Sequence, residues 1–94
     1  MLVVRNSFLA KPGQASKLAA QIKDAATAAN LTNARVMTDL TGDFNRVIFE
    51  FEAASLTEFE ARLKEYMTNT AFREKMQGYT EHWTTGSREI FQVA

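Results

Sequence analysis

The sequence predicts a single α+β domain in which two helical segments cover one face of a four-stranded antiparallel sheet, and three observations carry that expectation. Arg46 to Glu52 alternates strictly, with Val47, Phe49 and Phe51 on one side and Arg46, Ile48, Glu50 and Glu52 on the other, so it reads as a strand with one very apolar face. Ala15, Leu18, Ala19, Ile22, Ala25, Ala26 and Ala29 recur at the spacing of one helical stripe. The element order β-α-β-β-α-β closes most naturally as an antiparallel sheet with the first and third strands central and both helices on the same side.

The first strand is expected over residues 2–10, where Leu2, Val4, Asn6 and Phe8 alternate with Val3, Arg5, Ser7 and Leu9 until Lys11-Pro12-Gly13 ends the extension. A helix then starts at Gln14, its buried stripe mostly alanine so that it can lie close to the sheet, with Asn30 as the stop residue. Alternation returns over Asn33 to Leu40, and Thr41-Gly42-Asp43-Phe44-Asn45 turns the chain directly into the strand at Arg46, making a hairpin. Ser55-Leu56-Thr57-Glu58 has capping-box form and predicts the start of the second helix. Phe59, Leu63, Tyr66 and Met67 form its apolar face; Thr68-Asn69-Thr70 then bends or breaks it, and Ala71, Phe72, Met76 and Tyr79 continue beyond. From Gly86 a last strand is expected, with Arg88, Ile90 and Gln92 opposed to Glu89, Phe91 and Val93.

Composition narrows the classes of function. Residues 1–94 form one domain with little core to spare, so a partner subunit is a natural source of further burial. Eleven basic and eleven acidic residues leave no broad positive field, which argues against nucleic acid or an anionic membrane as partner. With no cysteine and one histidine there is no disulfide framework, thiol nucleophile or Cys/His zinc site, and no metal or other cofactor is expected. No apolar run reaches the roughly 18 residues that span a bilayer, and a cytoplasmic location is the expectation. Val3, Met37, Ile48 and Phe91 stand beside Arg5, Glu50 and Glu52 on the sheet face away from the helices. A mixed face on an open sheet predicts a homodimer packed sheet against sheet.

With this element order, the mixed outer face, Asn6 at the middle of the first strand, the Lys11-Pro12-Gly13 turn and the closing Gly86-Ser87-Arg88-Glu89-Ile90-Phe91, the chain resembles the dimeric α+β barrel superfamily. Within that superfamily it looks most like the NIPSNAP and antibiotic-biosynthesis-monooxygenase-like small domains. The resemblance implies a ferredoxin-like fold that pairs as a dimeric α+β barrel. Its families include cofactor-independent quinone-forming oxygenases, heme-degrading oxygenases, stress-induced proteins and proteins of no assigned activity. The heme-degrading branch also carries an asparagine on the first strand, which Asn6 resembles. Its tryptophan and histidine on the second helical region have no match here, because Phe59 to Leu63 holds no tryptophan and Phe72 to Tyr79 no histidine, which argues against heme.

Asn6 is the first candidate residue, since it interrupts an apolar strand face on which an unpaired amide costs about 1–3 kcal/mol. Either it orients a substrate carbonyl or dioxygen in a pocket between sheet and helices, or it is held by Tyr66, Tyr79, Thr38 or a buried water. His82 is a candidate general base, against the alternative of a capping or packing residue at a helix end. Tyr66, Tyr79 and Trp83 are candidate substrate-binding residues because their polar tips must find partners, whereas Phe49, Phe51, Phe59 and Phe72 read as core. Arg5, Arg35, Arg46 and Arg88 face Glu50, Glu52 and Glu89 either as an anion site or, more economically, as cross-strand ion pairs. The function expected is therefore binding of a small apolar or aromatic molecule, with cofactor-independent monooxygenation of an aromatic or quinol-type substrate as its catalytic form. A non-catalytic dimerisation or ligand-sensing module is the alternative.

Overall fold

In the computed structural model, which describes residues 1–94, the chain runs β1 (Leu2–Ala10), α1 (Ala15–Ala28), β2 (Ala34–Thr38), β3 (Arg46–Ala53), α2 (Leu56–Thr68), α3 (Thr70–Lys75) and β4 (Trp83–Gln92), with a 3₁₀ turn at Tyr79–His82. The strands form one antiparallel sheet in the order β2-β3-β1-β4, so β1 and β3 are central as the sequence predicts. The molecule measures 36 × 33 × 18 Å, thin enough for one sheet and one layer of helix. No helix is long and apolar enough to cross a membrane.

Each boundary has a local cause. The α1 helix ends in a Schellman motif: Asn30 adopts φ 53°, its N–H donates to the Thr27 carbonyl and the Leu31 N–H donates to Ala26. At the start of α2 the Ser55 hydroxyl accepts from the Glu58 N–H at 3.2 Å, and the Glu58 carboxylate reaches back to the Ala54 N–H at 2.9 Å. The segment at 68–70 is a break: Asn69 is extended (φ −71°, ψ 116°), closing α2 and capping α3 through its side-chain oxygen, which accepts from the Phe72 N–H at 2.9 Å. Helix α3 stops at Lys75, so Tyr79 belongs to the 3₁₀ turn. Two strands differ in length from expectation. The β2 strand is shorter because Asn33 has φ 56° and the Asp39 carboxylate takes over the turn, accepting from the Arg46 N–H. The β4 strand begins three residues earlier, at Trp83, which pairs with Ala10 across an irregularity in β1.

The core lies between the sheet and α1. Val4, Leu18, Ile22 and Val47 are fully enclosed, each burial worth about 2 kcal/mol, and Ala25 and Ala26 let the helix sit close to the strands. Arg62 clamps α2 in place, donating to the carbonyls of Glu52 (2.6 Å) and Thr32 (2.8 Å) with its guanidinium 5.1 Å over the Phe51 ring. Gln21 donates to the carbonyls of Lys75 and Gln77 and so ties α1 to the end of α3. On the opposite sheet face, Arg35, Glu50, Arg5 and Glu89 sit directly opposite one another across all four strands, charges alternating. Glu50 is only 4% exposed there, bonded by Arg5 Nε at 2.9 Å and by the Arg35 guanidinium.

Candidate functional site

One cross-strand row on the helix-facing side brings the polar groups of the site together. Because β1 pairs with both neighbours in antiparallel register, Asn6 stands directly opposite Phe49 on β3 and Arg88 on β4. The Asn6 amide donates to the Phe49 carbonyl at 3.3 Å, and its side-chain oxygen accepts from Arg88 Nε at 2.7 Å. Asn6 is 9% exposed, so the row satisfies an amide that would otherwise be costly. Its partners are thus a strand carbonyl and a guanidinium, in place of Tyr66, Tyr79 or Thr38.

Over this row the structure leaves a cleft of about 780 Å³ between the sheet and the α2–α3 pair. It exists because α2 rests on β3 and α3, while β4 packs on β1 and the 3₁₀ turn with no helix laid along it. Phe8, Phe49, Phe51, Leu63, Met67, Phe72 and Met76 supply apolar wall, and Tyr66, Tyr79, Asn6, Arg73 and Arg88 complete the lining. The aromatic side chains are mutually ordered: Tyr66 stacks on Phe72 at 5.4 Å and meets Phe51 edge-on at 5.2 Å. The Tyr66 hydroxyl is buried without a hydrogen-bond partner. Burial pushes that phenol above its ordinary value of 10.0; the charge of Arg62 and its approach to the hydroxyl, which falls short of a well-formed hydrogen bond, oppose the shift without reversing it, so the group stays a proton donor. The polar equipment of the cleft consists mainly of donors: arginine N–H groups, the Asn6 amide and two phenols.

Asn6, Tyr66 and Tyr79 therefore share one cleft, and His82 and Trp83 lie outside its lining. His82 Nδ1 is 3.0 Å from Gln14 Oε1, and its carbonyl accepts from the Lys11 N–H, a link between the 3₁₀ turn and the entrance to α1. Trp83 packs behind the cleft against Phe8 (5.2 Å) and Tyr79 (6.1 Å), its indole N–H buried and unpartnered. Phe49, Phe51 and Phe72 serve both core and cleft. Arg88, grouped by sequence with the other strand arginines, is separated from them by the sheet: Arg5 and Arg35 bind Glu50, Arg46 approaches Asp39, and Arg88 faces the helices. Its parity with Ile90 in the last strand was the available signal. Met76 was legible as part of the apolar face continuing past the break, whereas for Arg73, placed by the break at Asn69, no comparable signal exists. No group of three or more metal-ligating side chains comes together in the chain.

No protein-family profile matches the chain, and no curated protein matches it significantly. Solved structures do. A NIPSNAP domain protein from Burkholderia xenovorans superposes with a TM-score of 0.83 at 14% identity, over 100% of this chain and 95% of its own. A NIPSNAP family protein from Agrobacterium tumefaciens gives 0.85 at 13% identity over 99% and 92%. An antibiotic biosynthesis monooxygenase gives 0.74 at 14% identity over 100% and 99%. At such identities the likeness establishes the fold, the ferredoxin-like α+β arrangement that these proteins share along nearly their whole length.

Proposed function

We propose that the chain is a cytoplasmic homodimer that binds a small, largely apolar or aromatic molecule in the cleft over Asn6. The cleft itself carries this reading. A 94-residue chain has few large side chains to spare, yet Leu63, Met67, Phe72 and Met76 stay partly uncovered along a space of about 780 Å³ instead of closing it. Apolar surface left uncovered forgoes about 25 cal/mol per Å², which a ligand of matching character recovers. Asn6, Tyr66 and Tyr79 are the ligand-contacting residues in this proposal, Asn6 being held in orientation by Phe49 and Arg88. Pairing through the open sheet face is supported by Val3, Met37, Ile48 and Phe91, which border the charged row with no helix over them, and by the exposed Leu9 further along β1.

Titration with naphthol, followed by amide NMR, tests the binding reading. Shifts confined to Asn6, Phe8, Tyr66, Phe72 and Tyr79 are expected, and Tyr66→Phe is expected to weaken binding about three- to tenfold without lowering Tm, since the lost hydroxyl has no partner in the free protein. Shifts confined to the opposite sheet face would remove the proposal.

Oxygenation is a second reading, favoured by the structural likeness to an antibiotic biosynthesis monooxygenase. It requires proton removal from a phenolic substrate, and neither carboxylate nor imidazole lines the cleft. Binding is thus better supported than turnover. Dioxygen uptake with a hydroquinone, measured by an oxygen electrode, separates the two.

A further inference from the structure

We infer that the molecule held in the cleft bears a carboxylate, received by Arg88 with Arg73 in the same lining, while its apolar body lies on Leu63, Phe72 and Met76. This rests on the small-molecule reading above and names the ligand class. The chain as a whole balances eleven positive and eleven negative side chains, yet the cleft is lined by two arginines and no acid. Elsewhere the fold matches its strand arginines to carboxylates: Arg5 and Arg35 share Glu50, and Arg46 lies 4.0 Å from Asp39. Neither Arg88 nor Arg73 has such a partner within the chain.

Arg88 is also held in position. Its Nε is committed to Asn6 Oδ1 at 2.7 Å, Asn6 is anchored in turn on the Phe49 carbonyl, and the guanidinium lies 5.7 Å from the Phe59 ring centre. The two Nη groups remain, a planar pair of donors whose geometry matches a carboxylate better than a single hydroxyl. Tyr66 adds a donor buried to 6% exposure with no partner, in the same lining. Both arginines are exposed to solvent, so their pull on an anion comes from charge and donor geometry. A metal ion or an organic cation would meet repulsion here.

The test uses the fluorescent pair pyrenebutyrate and pyrenebutanol, which share an apolar aromatic body and differ in acid against alcohol. Wild-type protein is expected to bind the acid about tenfold or more tighter than the alcohol, the scale of one charge-assisted hydrogen-bonded contact. Arg88→Met, which keeps the apolar stem at an exposed strand position, is expected to bring the acid to within about twofold of the alcohol; the acid-to-alcohol ratio is the quantity read, so that any loss both compounds share through the freed Asn6 cancels. Equal wild-type affinities would overturn the carboxylate assignment and leave the cleft standing, as would a preference for the acid that survives in the Arg88→Met/Arg73→Met double variant. Binding of neither compound would overturn both readings.

Discussion

Glu50 shows how a single side chain is set by its neighbours. Burial alone would raise its carboxyl, but the hydrogen bonds and charges of Arg35 and Arg5 outweigh that and hold it below its ordinary value of 4.5. A depressed carboxylate adds stability that is complete above about pH 4.5 and is lost as pH falls through the lower folded value. Glu50→Gln should therefore cost about 1–3 kcal/mol at neutral pH in urea unfolding, with the gap to wild type closing in acid. A gap unchanged by acid would mean that the charge of Glu50 is not what stabilises the sheet. The polar strand position of Asn6 was legible from alternation, and so was its need for a partner. Its partner Arg88 was not, because the two lie 82 positions apart and meet only through the β1–β4 register. His82 and Trp83 drew notice by residue type, while the end of the 3₁₀ turn and the start of β4, which carry them, place both outside the cleft lining.

At the level of elements, what was legible was what depends on near neighbours in the chain. The alanine stripe of α1, the Asn30 stop and the Ser55 cap all act within five residues, and each forms where local chemistry requires. The α2–α3 break was visible as an interruption, but its form depends on Asn69 serving two helices at once. Asn69→Ala should cost about 1 kcal/mol, typical of one lost cap, and should weaken naphthol binding as well, because Phe72, Arg73 and Met76 are positioned by that break. Guanidinium denaturation gives the first quantity and the NMR titration the second; lost stability with unchanged binding would show that the cleft is held by α2 alone. The Arg62 clamp had no sequence signature, since both of its acceptors are backbone carbonyls.

For the whole molecule, the element order and alternating faces were enough to anticipate the sheet topology, and a thickness of 18 Å leaves one sheet face without helices. Light scattering after size exclusion should give twice the chain mass for the wild type. Ile48→Lys, central on the open face, should give the monomer, because a strongly hydrated ammonium would have to be buried at the contact. A wild-type monomer would mean that the mixed face is stable in water by itself. The unfilled cleft lay beyond sequence reasoning altogether: the same aromatic residues would have served a closed core, and only the absence of a helix over β4 leaves room beside them.

The charged row on that open face has one more consequence. Slide β3 by one position and Glu50 turns inward beneath the helices; slide β1 or β2 by one and Arg5 or Arg35 turns inward instead, so Glu50 loses that guanidinium at a cost of several kcal/mol. Slide β1 or β2 by two and it faces Val3 or Ser7, Asn33 or Met37, none of them charged. Only one alignment of β1 and β2 on β3 seats Glu50 itself between two cations, so that side chain serves as a ruler for the register of three strands as the chain folds.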